Sequence, residues 1–153
     1  MTFCFNIENP NAQNKISPTL ERLRILVVDD NSDHCELTCC FLEMFGFEVM
    51  TYTCAQAALD TIAQLEPHLL IIDIAMPNID GYTLISKIRK FAPPVCHIPA
   101  IALTGLRNTQ RERSLAFKSG FQAYLVKPVH TRHLAMEILR LVEQPFVLAR
   151  NIG

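Results

Sequence analysis

The sequence predicts a doubly wound α/β domain on a five-stranded parallel sheet, and two patterns carry that prediction. Five short apolar runs, near 24–28, 47–52, 69–73, 98–104 and 123–126, alternate with five stretches of helical character. Parallel strands need long crossovers, which helices supply and which are nearly always right-handed, so this alternation implies a sheet covered on both faces. The runs at 24–28 and 69–72 also contain almost no polar residues, as strands buried on both faces require. The expected strand order is 2-1-3-4-5, the flavodoxin-like arrangement.

Taken in order, residues 1–21 carry Asn6, Asn9, Asn11, Asn14, Pro10 and Pro18 without a sustained period, and read as a flexible leader. Arg24-Ile25-Leu26-Val27-Val28 is the first strand and ends in the pair Asp29-Asp30. The helix after it is capped by Asn31 or Ser32, turns Leu37, Phe41 and Met44 inward, and stops at Gly46. Phe47–Tyr52 is the second strand. Ala55–Leu65 is a helix ended by Glu66-Pro67. The third strand, Leu69-Leu70-Ile71-Ile72-Asp73, breaks into a Pro/Asn/Gly turn, and Tyr82, Leu84, Ile85 and Ile88 mark the helix beyond it. Ile98–Thr104 is the fourth strand and Thr109–Ser119 a charged helix stopped by Gly120. Ala123–Val126, the fifth strand, ends in Lys127-Pro128, and a last helix, Thr131 to about Glu143, buries Leu134, Ile138 and Leu141. The domain is therefore placed at 22–143, with 144–153 as an unassigned apolar tail.

Composition narrows the function classes. With 153 residues, half of them apolar and 19% charged, the chain holds one domain with a real core. A formal net charge of −1 supplies no global attraction to nucleic acid or anionic membrane, so neither is an expected direct partner. No apolar run approaches the roughly 18 residues needed to span a bilayer, and no signal pattern opens the chain, which points to the cytoplasm. Six cysteines, Cys4, Cys35, Cys39, Cys40, Cys54 and Cys96, are irregularly spaced and form neither a disulfide framework nor paired metal knuckles. Cys35 and Cys39, one turn apart with His34 beside them, make a metal site conceivable. Cysteine more often serves as a small core hydrophobe, and they are read that way.

The strand ends carry the chemistry. Asp29-Asp30, Asp73, Thr104 and Lys127 close strands one, three, four and five, so all fall at the same edge of a parallel sheet, where ligands of such folds bind. Taken singly, the acids could cap a helix, the threonine be a loop hydroxyl and the lysine a solvated charge. Together they are a site. Crowded carboxylates either share protons or bind a hard cation, and oxygen ligands suit Mg²⁺. Such a site can accept a phosphoryl group: an ionised Asp is a competent nucleophile, and a cation, a lysine and a hydroxyl compensate phosphoryl oxygens. Two other chemistries fit less well. A phosphatase of the haloacid dehalogenase type needs a second Asp where Ala75 stands, and a flavin phosphate would be repelled by Asp29-Asp30.

From about Arg22 to Glu143 the sequence resembles the receiver domain of two-component response regulators. The matching residues are Val28-Asp29-Asp30-Asn31, Asp73-Ile74-Ala75-Met76-Pro77 with Asp80-Gly81, Ala102-Leu103-Thr104-Gly105 and Tyr124-Leu125-Val126-Lys127-Pro128. The resemblance implies a chemotaxis-regulator-like fold and a phosphoacceptor signalling protein that catalyses only its own phosphorylation and dephosphorylation. Asp73 then takes the phosphoryl group from a histidine kinase or histidine phosphotransfer protein. Asp30, Asp73 and the backbone carbonyl of Ala75 bind Mg²⁺, with Asp29 acting partly through water, Thr104 and Lys127 hold phosphoryl oxygens, and the Lys127-Pro128 bond is cis. Thr104 and Tyr124 form a switch that reshapes the face of the fourth helix, fifth strand and fifth helix for a downstream protein effector or a homodimer. Leu106, bulky beside Gly105, is expected to shield the phosphorylated Asp73 from water. The alternative readings are a receiver fold that binds proteins without phosphorylation, and a receiver fragment of a hybrid kinase. Gln122-Ala123-Tyr124 in place of the Asp-Asp-Tyr of many winged-helix regulators points towards hybrid kinases, phosphorelays or single-domain regulators. Arg107, Arg111 and Arg113 form a basic stretch nearby, read as a solvated face.

Overall fold

The computed structural model describes residues 23–143, so the leader and the tail lie outside the described residues. Five parallel strands, β1 (Arg24–Val28), β2 (Glu48–Tyr52), β3 (Leu69–Ile72), β4 (Ala100–Thr104) and β5 (Ala123–Val126), form one sheet in the order β2-β1-β3-β4-β5. Helices α1 (Ser32–Met44), α2 (Ala55–Leu65), α3 (Gly81–Ile88), α4 (Gln110–Ser119) and α5 (Thr131–Glu143) cross between them, as the alternation predicts. Among the described residues no helix is long and apolar enough to cross a membrane.

Strand periodicity divides the core in two. Ile25, Val27, Leu69, Ile71, Ile101 and Leu103 point to the side packed by Leu42 of α1 and by Leu134, Ile138 and Leu141 of α5. Their neighbours Leu26, Val28, Leu70, Ile72, Ala100 and Ala102 point to the other side, against Ile62 of α2, Leu84 and Ile88 of α3 and Ala116 of α4. Each central strand therefore buries both of its faces, which is why its sequence is continuously apolar.

Three details differ from expectation. The inward face of α1 carries Cys35 and Leu42 with Phe41, as expected, packed partly buried beside them, whereas Leu37 and Met44 are 72% and 84% exposed. Cys35 and Leu42 are both buried in that core, and the Cys35 Sγ also reaches the Asp29 carbonyl oxygen at 3.2 Å. β4 begins at Ala100, since Val95–His97 forms a 3-10 turn and the residues before Ala100 lead out of it. β2 begins at Glu48, with Phe47 buried just ahead of it. The helix ends follow the sequence closely: Asn31, Asp80 and Thr109 accept from the backbone amides of His34, Thr83 and Glu112. Gly46, at φ +90°, turns the chain out of α1.

The edge of the sheet where β4 and β5 start is held by Arg89, at the C-terminus of α3. Its guanidinium donates to the carbonyls of Cys96 (3.0 Å), Ile98 (2.6 Å) and Gly120 (2.7 Å) and to Gln122 Oε1 (3.1 Å). Gln122 Oε1 in turn accepts from the Ala100 amide at 2.7 Å. Burial pulls the Arg89 pKa below its ordinary value, and these bonds are what hold the partly desolvated charge.

The two sides of α1 give an expected contrast: Leu42→Ala costs about 2–5 kcal/mol of unfolding free energy, whereas Leu37→Ala stays within about 0.5 kcal/mol. Urea melts of the two variants check it, and similar losses would contradict the observed helix rotation.

Candidate functional site

The polar residues predicted at the strand ends converge because the sheet's own hydrogen-bond ladder carries them. The Asp29 amide donates to the Tyr52 carbonyl (3.1 Å), the Asp73 amide to Val28 (2.9 Å) and the Lys127 amide to Thr104 (2.7 Å), one rung beyond β1, β3 and β5. Those backbones have no freedom to carry the side chains elsewhere. Asp29, Asp30 and Asp73 are brought together, each offering a carboxylate oxygen within 4.8 Å of the others. Asp29 and Asp73 are buried, at 5% and 8% exposure, while Asp30 faces solvent.

Each acid has a different partner. Asp29 Oδ1 accepts from the Asn31 amide at 3.0 Å, and Oδ2 takes the Lys127 ammonium at 2.6 Å. Asp73 Oδ1 is buried with no hydrogen-bond partner. Burial pushes the Asp73 carboxyl above the ordinary carboxylate range; Lys127 opposes that, Asp29 and Asp30 add to it, and the Ala75 backbone amide again opposes it. An unpartnered buried carboxylate oxygen facing two other acids is costly, and a cation is the chemistry that would offset it. The donor set is all oxygen, which fits a hard divalent ion such as Mg²⁺ rather than a thiophilic metal.

The loop after Asp73 is tightly closed. The Met76 and Gly81 amides both reach the Ile74 carbonyl, at 3.0 and 2.8 Å, and a Cβ on Gly81 would fall 2.5 Å from the Asp73 carbonyl oxygen and 2.7 Å from Ile74 Cα. Only glycine fits that contact. Asp80, quoted in the motif with Gly81, serves as the α3 cap.

Thr104 is fully buried at the end of β4, and its Oγ1 accepts from the Leu106 amide at 3.2 Å, which leaves its hydroxyl proton available to donate. Leu106 packs against the core beside it. Tyr124 is buried as well: its hydroxyl donates to the Arg107 carbonyl at 3.1 Å, and the Arg113 guanidinium lies 5.9 Å from its ring centroid. Burial, with Glu112 adding, pushes its pKa up to about 12, so it stays a neutral donor. The Lys127-Pro128 bond is cis.

The Cys35 and Cys39 metal site does not form. Cys35 bonds the Asp29 carbonyl, Cys39 lies 3.5 Å from Glu43 Oε1, and the one cluster of metal-ligating groups among the described residues is the three aspartates. His34, set beside those cysteines in the sequence reading, instead turns towards Lys127, its Nδ1 3.1 Å from Nζ. Its helical position, one turn past Asp29-Asp30, places it beside the acids, but no local signal in the sequence points to Lys127 as its partner.

A five-stranded doubly wound sheet with an acid pocket and a lysine at its carboxyl edge defines the class of chemotaxis-regulator-like signalling domains. Residues 25–139 match the Response regulator receiver domain, and the chain belongs to that family. It is similar, at 40% identity over 82% of this chain and 92% of the relative, to an uncharacterised 14.6 kDa protein of Leptolyngbya boryana. It is also 31% identical to the DNA-binding dual master transcriptional regulator RpaA of Synechocystis, over 79% of this chain; the match spans 49% of that regulator's length. Among solved structures, a CheY-like receiver domain protein of Methanospirillum hungatei superposes with a TM-score of 0.73, at 29% identity over 80% of this chain and 95% of that one.

A carboxyl whose native pKa is raised gives its full stability only below its unfolded value and loses it as pH rises through the native one. In chelator-containing buffer, Asp73→Asn is therefore expected to melt above the parent at pH 7, with the gap closing towards pH 4. Calorimetry across that range checks it; a gap that widens on acidification contradicts the raised pKa.

Proposed function

We propose that this receiver domain is a phosphoacceptor of a two-component or phosphorelay system, with Asp73 as the residue modified. One observation carries the reading: Asp73 presents a buried carboxylate oxygen without a partner, inside a cluster of three acids that Lys127 alone leaves two positive charges short of neutrality. In the reaction a carboxylate oxygen of Asp73 forms a bond to phosphorus as the phosphorus–nitrogen bond of a phosphohistidine breaks, and the electron pair leaves on the imidazole nitrogen. The donor is a histidine kinase or a histidine phosphotransfer protein. The protein acts as a signalling phosphoacceptor, catalysing only its own phosphorylation and dephosphorylation.

The residues around Asp73 divide the work. Asp29, Asp30, Asp73 and the backbone carbonyl of Ala75 would hold Mg²⁺, which when bound supplies positive charge against the phosphoryl oxygens. Thr104 donates its free hydroxyl proton to one of those oxygens, and Lys127 offers its ammonium to another. Thr104 and Tyr124 lie two residues apart in register on adjacent strands and bond the neighbouring loop residues Leu106 and Arg107, which supports reading them as the switch, with the face of α4, β5 and α5 as the output surface for a protein effector or a second copy. The expected compartment is the cytoplasm, and no direct nucleic-acid or membrane partner is invoked.

Incubation with Mg²⁺ and acetyl phosphate should yield a phosphoform on a phosphate-affinity gel that disappears with Asp73→Asn. No phosphoform, or one that survives the substitution, would favour the protein-binding module that acts without phosphorylation. Leu106→Ala should shorten the phosphoform's lifetime several-fold by opening a path for water. Equal decay of the two proteins would remove Leu106 from that role.

A further inference from the structure

We infer that His34 is a positioning residue that holds the Lys127 ammonium at the mouth of the acid pocket, an inference that rests on the phosphoacceptor reading of Asp73. The Lys127 ammonium meets two groups, Asp29 Oδ2 at 2.6 Å and His34 Nδ1 at 3.1 Å. Asp29 Oδ2 also lies 3.6 Å from Nδ1, but the ammonium is closer and only donates, so the contact assigns the Nδ1 lone pair as acceptor and the ring proton to Nε2. His34 can do this reliably because its backbone is fixed: it is the third residue of α1, and its amide donates to the Asn31 cap at 3.1 Å. Its ring stands between the acids and an apolar groove of about 480 Å³ that includes Leu37, Phe41, Pro128 and Leu134.

The chemistry explains why an imidazole belongs there. Lysine has a flexible four-carbon stem, and a single tether leaves its charge poorly aimed. A cation held by Asp29 would compete with Lys127 for the carboxylate whose Oδ2 the ammonium meets at 2.6 Å. His34 is then the remaining side-chain acceptor of Lys127 among the described residues. A carboxylate in that position would cancel the charge the phosphoryl oxygens need. A neutral nitrogen holds the ammonium in place and leaves its charge available.

The test has two readouts. In metal-free protein at pH 8, a long-range ¹H–¹⁵N spectrum should show His34 protonated on Nε2, and Lys127→Met should shift its Nδ1 resonance. An Nδ1-protonated ring, or an unmoved resonance, overturns the inference. With acetyl phosphate and saturating Mg²⁺, His34→Ala should lower the initial phosphorylation rate roughly three- to tenfold at unchanged melting temperature. His34→Asn, which keeps an acceptor near the same place, should restore most of it, and His34→Ala should have no further effect on a Lys127→Met background. A wild-type rate for His34→Ala, no rescue by Asn, or an equal loss without Lys127 each overturns the positioning role while leaving Asp73 intact. A wild-type protein that takes up no phosphoryl group overturns the reading of Asp73 and the positioning role with it, whatever the spectrum shows.

Discussion

Like charges forced together by a rigid sheet are what the rest of this molecule answers to. Asp29 and Asp73 hang from backbone rungs that continue the β1–β2 and β1–β3 ladders, so neither can retreat from the other, and Asp30 follows directly in sequence. Two of the three are buried, where water screens repulsion poorly. The compensation inside the chain comes from 98 residues away, as Lys127 at the end of β5 reaches Asp29. That leaves Asp73 the acid with an oxygen unmatched, and its carboxyl is correspondingly hard to ionise. The sheet holds the charges together, and their imbalance makes the edge reactive towards cations and phosphoryl groups.

Much of this was readable in the residues, for physical reasons that differ by element. β3 was plain because a strand buried on both faces cannot hide a charge, so Asp73 stood out at its end. The start of α1 was plain because Asn31 or Ser32 could cap it, and Asn31 does; the caps of α3 and α4, Asp80 and Thr109, came only with the structure. The rotation of α1 was not, since Leu37, Phe41 and Met44 make as good a helical stripe as Cys35 and Leu42, and the choice fell to packing against the sheet, which buries Cys35 and Leu42, half-buries Phe41 and leaves Leu37 and Met44 outside. Arg89 and His34 were invisible for a different reason. Each takes its role from partners far along the chain, Gly120 and Gln122 for one and Lys127 for the other, and no local period encodes a partner.

The site also shows how little of its geometry is left to loops. Thr104 belongs to β4, Asp29 and Lys127 are single residues beyond strands, and the one true loop, from Asp73 to Asp80, is closed on itself by the Ile74 carbonyl and pressed against Gly81. Side chains on such supports keep their separation without paying afresh in conformational entropy each time a ligand arrives.

Arg89 gives the sheet a mechanical asymmetry. By tying the entry to β4, through Ile98, Ala100 and Gln122, to the entry to β5 at Gly120, it clamps those two strands at one end only. Their far ends, which carry Thr104 and Lys127, are joined by the Lys127 amide to the Thr104 carbonyl and otherwise look out onto the acid pocket. β4 stays paired with β5 as far as Thr104 and Val126, so a pull on the acid edge is carried back through a zipped pair of strands to the guanidinium that rivets their roots.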